Sequence, residues 1–440
     1  MGLLESSVPD EAKDALEDET MRPHFAETLE GGVIMIKEIT VGNWKSFENA
    51  TFYIDPLTIL IGANASGKSN LLDTFLFLMR IASNFSISQA INGDVNLLPI
   101  RGGFEWVCRK PYDKFTITVI TEKSEKQDYQ YVINCKVNDA KVDVSYEALS
   151  ILTQSGKKKQ IREKFLFKTA EDESDSPGLP TYFNTGTQGR GKRIDLNRSH
   201  AILFQAETLN LRKEVVDAVK KILNELRSIF VFDPIPSHMR DYKPFADTLQ
   251  SDGSNIAGVL AGLESQRKEE VEKALTHYLK DLPEKDVKRV WTEPVGKFKT
   301  DAMLYCEEGW GTEKYEVDAR GMSDGTLRYL AIVTALLTRK EESLLIIEEI
   351  DNGLHPSRAK ILIDMLKTLG LKRSIDVVVT THNPALLDAF GNTMVPFITV
   401  AHPEERTGSS LLRQLEDIEQ LPKLMAGGTI GRLSTEGVSM

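Results

Sequence analysis

Residues 57–84 read LTILIGANASGKSNLLDTFLFLMRIASN. The first five are apolar or β-branched without a break, as in a strand buried on both faces. Beyond Asn70, Leu71, Leu72, Phe75, Leu78 and Met79 recur at helical spacing and mark one apolar face. Between strand and helix, Gly62 to Ser69 spells G-x-x-x-x-G-K-S, the order of flanks in which such a loop can hold phosphate. Free backbone N–H groups of the loop and of the helix N-terminus are expected to cradle an anionic ligand, with Lys68 reaching the β and γ phosphate oxygens and the Ser69 hydroxyl taking Mg²⁺. The expected nucleotide contacts are therefore Gly62, Asn64, Ser66, Gly67, Lys68, Ser69 and Asn70.

Two further apolar runs end in polar residues. SLLIIEEIDNGLHP, from Ser343, delivers Glu348 and Glu349 to a strand tip, where two adjacent acids are costly unless a cation or water awaits them. Beside a phosphate loop, Glu348 is expected to face the metal and Glu349 to orient an attacking water; without one, both would be a solvated strand end. DVVVTTHNP, from Asp376, delivers Thr380, Thr381 and His382 in the same way, and doubly wound sheets bind ligands at such tips. His382 is expected to sense the γ-phosphate, although a lone histidine at a strand end is more often structural.

At 321–330 the chain reads GMSDGTLRYL. Ser323 is placed as an N-cap, with Asp324 in the first turn and Leu327, Leu330, Ala331, Thr334 and Leu337 continuing a helix. The plainer reading is an ordinary capped helix; with Gly321 and Gly325 flanking Ser-Asp it instead reads as a second anion-binding mouth in a chain whose phosphates already have a cradle.

Around these motifs, residues 35–54 alternate as β structure, and KFTITVITE, YQYVINCKV and AKVDVSY suggest an antiparallel meander. Residues 154–200 are polar and rich in Lys, Arg, Gly and Ser, and read as a flexible or peripheral insertion. A helix at LRKEVVDAVKKILNELRSIF, a short strand at VFDPIP and a helix capped by SDGSN follow, then strands at 298–307 and 313–318.

With 440 residues, 41% hydrophobic and 27% charged, the chain can bury a large core. The net charge of −11 excludes a surface that is basic throughout. Residues 1–34 carry nine acids and two bases, so −7 of the −11 lies there and −4 in the remainder; this stretch reads as a mobile or weakly folded acidic extension. The three cysteines, Cys108, Cys135 and Cys306, form no C-x-x-C pair, which fits a reducing cytoplasm and neither a disulfide framework nor a zinc site. No run approaches the roughly 18 to 20 apolar residues of a membrane span, so no membrane partner is expected.

Taken in order, these motifs resemble the ATP-binding-cassette heads of SMC/RecF-like ATPases over residues 35–440. Gly62 to Ser69 is similar to the Walker A loop, Leu344 to Glu349 to the Walker B strand, Ser323-Asp324-Gly325 to the signature, Asn352-Gly353-Leu354-His355 to the D-loop, His382 to the switch histidine, and Lys45-Ser46-Phe47 to a stretch that opens many such heads. The resemblance implies an α/β fold of the ABC-type P-loop NTPase head, a mixed central sheet with an antiparallel β lobe, carrying a helical or irregular insertion. It divides the chain into an extension (1–34), an N-terminal lobe (35–150), an insertion and helical region (151–297) and a C-terminal lobe (298–440). It further implies ATP and Mg²⁺ as cofactors, hydrolysis with Lys68, Glu349 and His382 at the reaction, and Ser69 and Glu348 at the metal.

In such heads the signature of one subunit caps the nucleotide of another, which implies a homodimer or higher oligomer around ATP. Glu348 stands where the pattern usually has Asp, Asp324 where transporters have Gly, and no clear Q-loop glutamine can be assigned, Gln89 being a candidate. Within the superfamily the chain looks most like bacterial antiphage ATPases paired with an effector, a nuclease or toxin encoded nearby, such as PtuA of Septu and AriA of PARIS. A RecF-like DNA repair ATPase and an ATP-binding scaffold that does not hydrolyse are the alternatives. The basic runs 157–164 and 189–193 are candidate DNA contacts, set against the plainer reading of solvated charge.

Overall fold

The alternating stretch after Met35 forms a hairpin of β1 (Ile36–Trp44) and β2 (Phe47–Tyr53), and the apolar run forms β3 (Leu57–Ile61). The P-loop motif leads into α1 (Lys68–Ala82). The computed structural model describes residues 35–138, 141–155, 160–170, 176–186, 189, 191–280, 286–310, 313–353, 358–383, 386–388 and 391–418. The acidic extension, the lysines at 157–159, Arg190 and the D-loop positions 354 and 355 lie outside the described residues.

The expected meander is present as β4 (Lys114–Ser124), β5 (Gln127–Asn138) and β6 (Lys141–Ser155). Phe115, Ile117 and Val119 of β4 and Tyr129, Tyr131, Ile133 and Cys135 of β5 turn to one face, as a sheet with a single buried side requires. The polar stretch that follows differs from expectation. It continues the sheet as β7 (Gln160–Thr169), β8 (Gly178–Phe183) and β9 (Lys192–Asn197). The order is β2-β1-β4-β5-β6-β7-β8-β9, antiparallel throughout. The boundary expected at residue 150 falls inside β6. The alternation was overlaid by charge because these strands approach the sheet edge, where solvent-facing Lys and Arg discourage further pairing. Leu166, Phe167, Leu179 and Phe183 still bury their side chains.

After α2 (Lys213–Ser228) the chain enters the second sheet at β10 (Phe230–Phe232). It leaves for a smaller lobe of β11 (Lys243–Pro244), α3 (Ile256–Gly262), α4 (Ser265–Lys280), β12 (Asp286–Val295), β13 (Asp301–Trp310) and β14 (Glu313–Asp318). Here α4 and β12 were not read from the sequence. The SDGSN cap also differs: Asn255 does not cap α3 with its side chain, but accepts from Gln250 N at 2.9 Å and donates to the Thr248 carbonyl at 2.9 Å, cross-linking the preceding loop.

The chain returns through α5 (Asp324–Thr338), β15 (Ser343–Ile347), α6 (Ala359–Lys372), β16 (Ile375–Thr381), β17 (Ile398–Pro403) and β18 (Ser410–Gln414). The central sheet runs β10-β15-β16-β3-β17-β18, parallel except for the last pair. Strands β3, β15 and β16 are buried on both faces, which is why they read as unbroken apolar runs. Leu60, Leu344, Ile346 and Val378 join α1 and the antiparallel sheet in one core, while Ile59, Ile61, Leu345, Ile347, Val377 and Val379 join α5 and α6 in another. The mixed central sheet with an antiparallel lobe is the architecture expected. No helix among the described residues is long and apolar enough to cross a membrane.

Candidate functional site

Register fixes what meets at the end of the central sheet. Ile61 pairs with Thr381, Val379 with Ile347, and Phe232 with Ile347, so the residues that follow these strands leave from one edge. They are Gly62, His382, Glu348 and Asp233. A parallel sheet gathers ligand-binding groups at the carboxyl ends of its strands for this reason.

In the loop, Gly67 adopts φ 106° at the N-cap of α1, a conformation open to glycine, and a Cβ there would lie 2.4 Å from Ser410 Oγ. Lys68 Nζ donates to the carbonyls of Gly62 at 2.6 Å and Ala63 at 2.9 Å. Burial pushes its pKa down, and the charges of Glu349 and Glu348 oppose that shift, so the ammonium lies within the field of both carboxylates. The Ser66 hydroxyl is buried and has no hydrogen-bond partner in the structure.

The start of α1 is clamped by the Lys45-Ser46-Phe47 stretch. Lys45 Nζ lies 2.5 Å from Asp73 Oδ2 and both groups are buried. Burial disfavours both charges, lowering the lysine's pKa and raising the aspartate's, while their mutual contact works against those shifts. Ser46 Oγ accepts from Asn70 Nδ2 and from Ser410 Oγ, both at 2.8 Å, and Trp44 Nε1 donates to the Asn70 carbonyl. Asn70 is thus occupied in fixing the helix.

Glu348 faces the loop. Its Oε1 accepts from Ser69 Oγ at 2.8 Å and its Oε2 from Arg101 Nη2 at 2.8 Å. Glu349 has φ 47°, a strained value for a residue with a Cβ. Two neighbours hold it there: its N–H donates to Thr380 Oγ1 at 2.8 Å, and its carbonyl accepts from Arg328 Nη2 at 3.0 Å. Arg328, buried in α5, also donates to the carbonyls of Glu348 at 2.8 Å and Pro234 at 2.6 Å. Asp233 carries a raised pKa through burial and the nearby charges of Glu348 and Glu349, with Arg328 opposing. Thr381 Oγ1 donates to Asp351 at 2.6 Å, tying the next turn to the same strand tip.

The Ser323 turn is built as expected. Ser323 Oγ accepts from Thr326 N at 3.2 Å and caps α5. Ser323 and Asp324 are exposed, and among the described residues the Ser323 hydroxyl bonds Thr326 of its own turn and not the P-loop of the same chain. Arg240 braces the turn: Nη1 donates to the carbonyls of Ala319, Arg320 and Met322, and Nη2 to Asp324 at 2.5 Å. A Cβ on Gly325 would lie 2.5 Å from the Gly353 carbonyl, so glycine lets the turn approach the segment after Glu349. His382 is exposed after β16. Gln89, the Q-loop candidate, is occupied in a capping box with Ser86.

Sequence reading missed Arg101, Asp233, Arg240 and Arg328. Each is a single charged residue whose partners lie far along the chain, so local pattern carries no sign of its role. Asp233, directly after the strand VFDPIP, was the most accessible of them as another polar strand tip. In the basic runs, Lys164 pairs with Glu214 and Arg193 with Asp195, which neutralises two described members.

The residues present fit a nucleotide with Mg²⁺. Ser66 offers an unpaired hydroxyl inside the loop, Lys68 is held at loop carbonyls, and a hydroxyl and a carboxylate lie together at Ser69 and Glu348. Among the described residues no group of three or more His, Cys, Asp or Glu could hold a metal.

No curated protein matches the sequence. Among solved structures, a SmcHead bound to the C-winged helix domain of ScpA aligns with 14% identity and TM-score 0.46 over 89% of this chain and 100% of that one. An Smc head domain with an extended coiled coil, bound to the C-terminal domain of ScpA and derived from Pyrococcus furiosus, gives 12% and 0.46 over 89% and 99%. An SMC head domain from Thermotoga maritima gives 12% and 0.37 over 87% and 99%. At that level the similarity says nothing of ligand, partner or reaction. A family model described as "AAA domain, putative AbiEii toxin, Type IV TA system" matches residues 57–388, which span the P-loop, the Ser323 turn, Glu348, Glu349 and His382. The chain belongs to this family of AAA-domain proteins.

Proposed function

We propose that the chain binds ATP with Mg²⁺, hydrolyses it to ADP and phosphate, and does so between two copies of itself. The observation that carries this reading is the contact of Ser69 with Glu348 beside a lysine that feels both Glu348 and Glu349. Lys68 exchanges its loop carbonyls for the β and γ phosphate oxygens, and the N–H groups of residues 62–69 hold the remaining phosphate charge. Ser69 and Glu348 hold the metal. Bound Mg²⁺ supplies neutralisation of the charge on the phosphate oxygens. Glu349 orients the attacking water and takes its proton, and His382 contacts the γ-phosphate. The exposed Ser323 turn lends its helix N-terminus to the nucleotide of a second chain; its exposure, and a Ser323 hydroxyl that bonds within the turn, support that reading.

The setting we infer is control of an effector, a nuclease or toxin, in bacterial phage defence. This setting follows from the resemblance of the motifs to antiphage ATPases; the family description itself names a putative toxin and a toxin–antitoxin system. Mg²⁺-dependent ATP turnover by the purified chain tests the enzymatic reading, and turnover that survives Lys68→Ala overturns it. Copurification with the product of a neighbouring gene tests the setting.

A further inference from the structure

Both carboxylate oxygens of Glu348 are already engaged, Oε1 by Ser69 Oγ and Oε2 by Arg101 Nη2, each at 2.8 Å. The same hydroxyl and carboxylate are the donors a hard divalent cation takes. A guanidinium therefore provides Glu348 with the positive partner that a metal would otherwise supply. We infer that Arg101 is an internal competitor of Mg²⁺ at Glu348, a contact that holds the metal position shut until the side chain swings away. The inference rests on the metal role proposed above for Ser69 and Glu348.

The surroundings favour a swing of the side chain over an opening of the loop. The Arg101 carbonyl accepts from Lys45 Nζ at 2.6 Å, and Lys45 is itself held by buried Asp73. The preceding residue, Ile100, is buried and its N–H donates to the Ile91 carbonyl at 2.7 Å. The main chain is thus fixed on both the side facing α1 and the side facing the 87–92 helix. The Arg101 side chain is 52% exposed while that of Glu348 is 14% exposed, so the cation has a solvent path and the carboxylate stays in place. Competition also accounts for why a half-exposed arginine is used here. With one partner half exposed, the pair can tune metal occupancy without blocking it.

The test follows a ribose-labelled fluorescent ATP analogue on the full chain while MgCl₂ is titrated, reading the Mg²⁺ concentration that gives half of the binding enhancement. Arg101→Gln should lower that concentration by about two- to fivefold. Arg101→Lys, which keeps the charge and loses the planar fork, should lower it by a smaller factor and gives a second reading if the glutamine variant fails to fold. A midpoint that is unchanged or raised in the folded variants overturns the inference, since a merely positioning arginine would weaken the metal site when removed. Glu348→Gln, run alongside, should lose the Mg²⁺ response. If it keeps the wild-type response, the metal assignment itself has failed, independently of Arg101.

Discussion

Arg328 Nη2 lies 3.0 Å from the carbonyl oxygen of Glu349, so the helix that begins at Ser323 reaches directly into the turn that carries the acidic pair. The same guanidinium binds the carbonyls of Glu348 and Pro234. One buried cation thus joins three chain segments: the helix behind the exposed turn, the strand tip at Glu348, and the tip of β10. The Ser323 helix and Glu349 are thereby tied through one side chain.

Removing this cation leaves one buried and two half-buried carbonyls short of a donor. Arg328→Ala should lower folding stability by about 3 kcal/mol, seen as a reduced urea midpoint at unchanged slope. Arg328→Lys should recover only part of it, because one ammonium cannot reproduce the fork. A midpoint within experimental error of wild type would remove Arg328 from the coupling described here.

Glu349 and Lys68 should separate binding from turnover. Glu349→Gln is expected to bind labelled ATP as wild type does and to lose about 10²- to 10⁴-fold in turnover, the range for a general base. Lys68→Ala should lose nucleotide binding as well. Equal loss of binding in both variants would show that Glu349 serves the ground state and does not activate water.

Asp376 supplies a pH dependence. Burial pushes its carboxyl up from 3.8 to about 7, with the Met35 N–H bond at 3.1 Å working the other way. The folded state binds this proton more tightly than the unfolded chain does. Its contribution to stability is therefore complete below about pH 4 and is lost as pH rises through about 7. Asp376→Asn keeps an acceptor and removes the charge, so its urea midpoint should vary less than wild type between about pH 5 and about pH 8, and should exceed wild type at the upper end. The same slope in both proteins would exclude Asp376 as its source.

What could be read from the chain follows from how local each signal is. LTILI, SLLII and VVVTT announce buried parallel strands because both faces are apolar, and G-x-x-x-x-G-K-S needs only its own flanks. Ser323 was legible as a cap because its bond to Thr326 spans three residues. Strands β7 to β9 were not, since the exposed polar residues of β7 (Gln160, Arg162, Glu163, Lys164) and β9 (Lys192, Arg193) hide the pattern of the buried Leu166, Phe167, Leu179 and Phe183. Asn255 looked like a cap and serves a loop, because Gln250 N and the Thr248 carbonyl offered it better-placed partners. Arg101 and Arg328 act on Glu348 across 247 and 20 positions respectively, a relation that exists only after folding.

The composite site between two chains is tested most directly by sedimentation of Glu349→Gln with and without MgATP. The expected result is a monomer without nucleotide, a dimer with it, and a return to nucleotide-bound monomer when Ser323→Arg is added to block the exposed turn. A Glu349→Gln chain that binds ATP and stays monomeric, or a dimer indifferent to Ser323→Arg, would contradict completion of the site in trans.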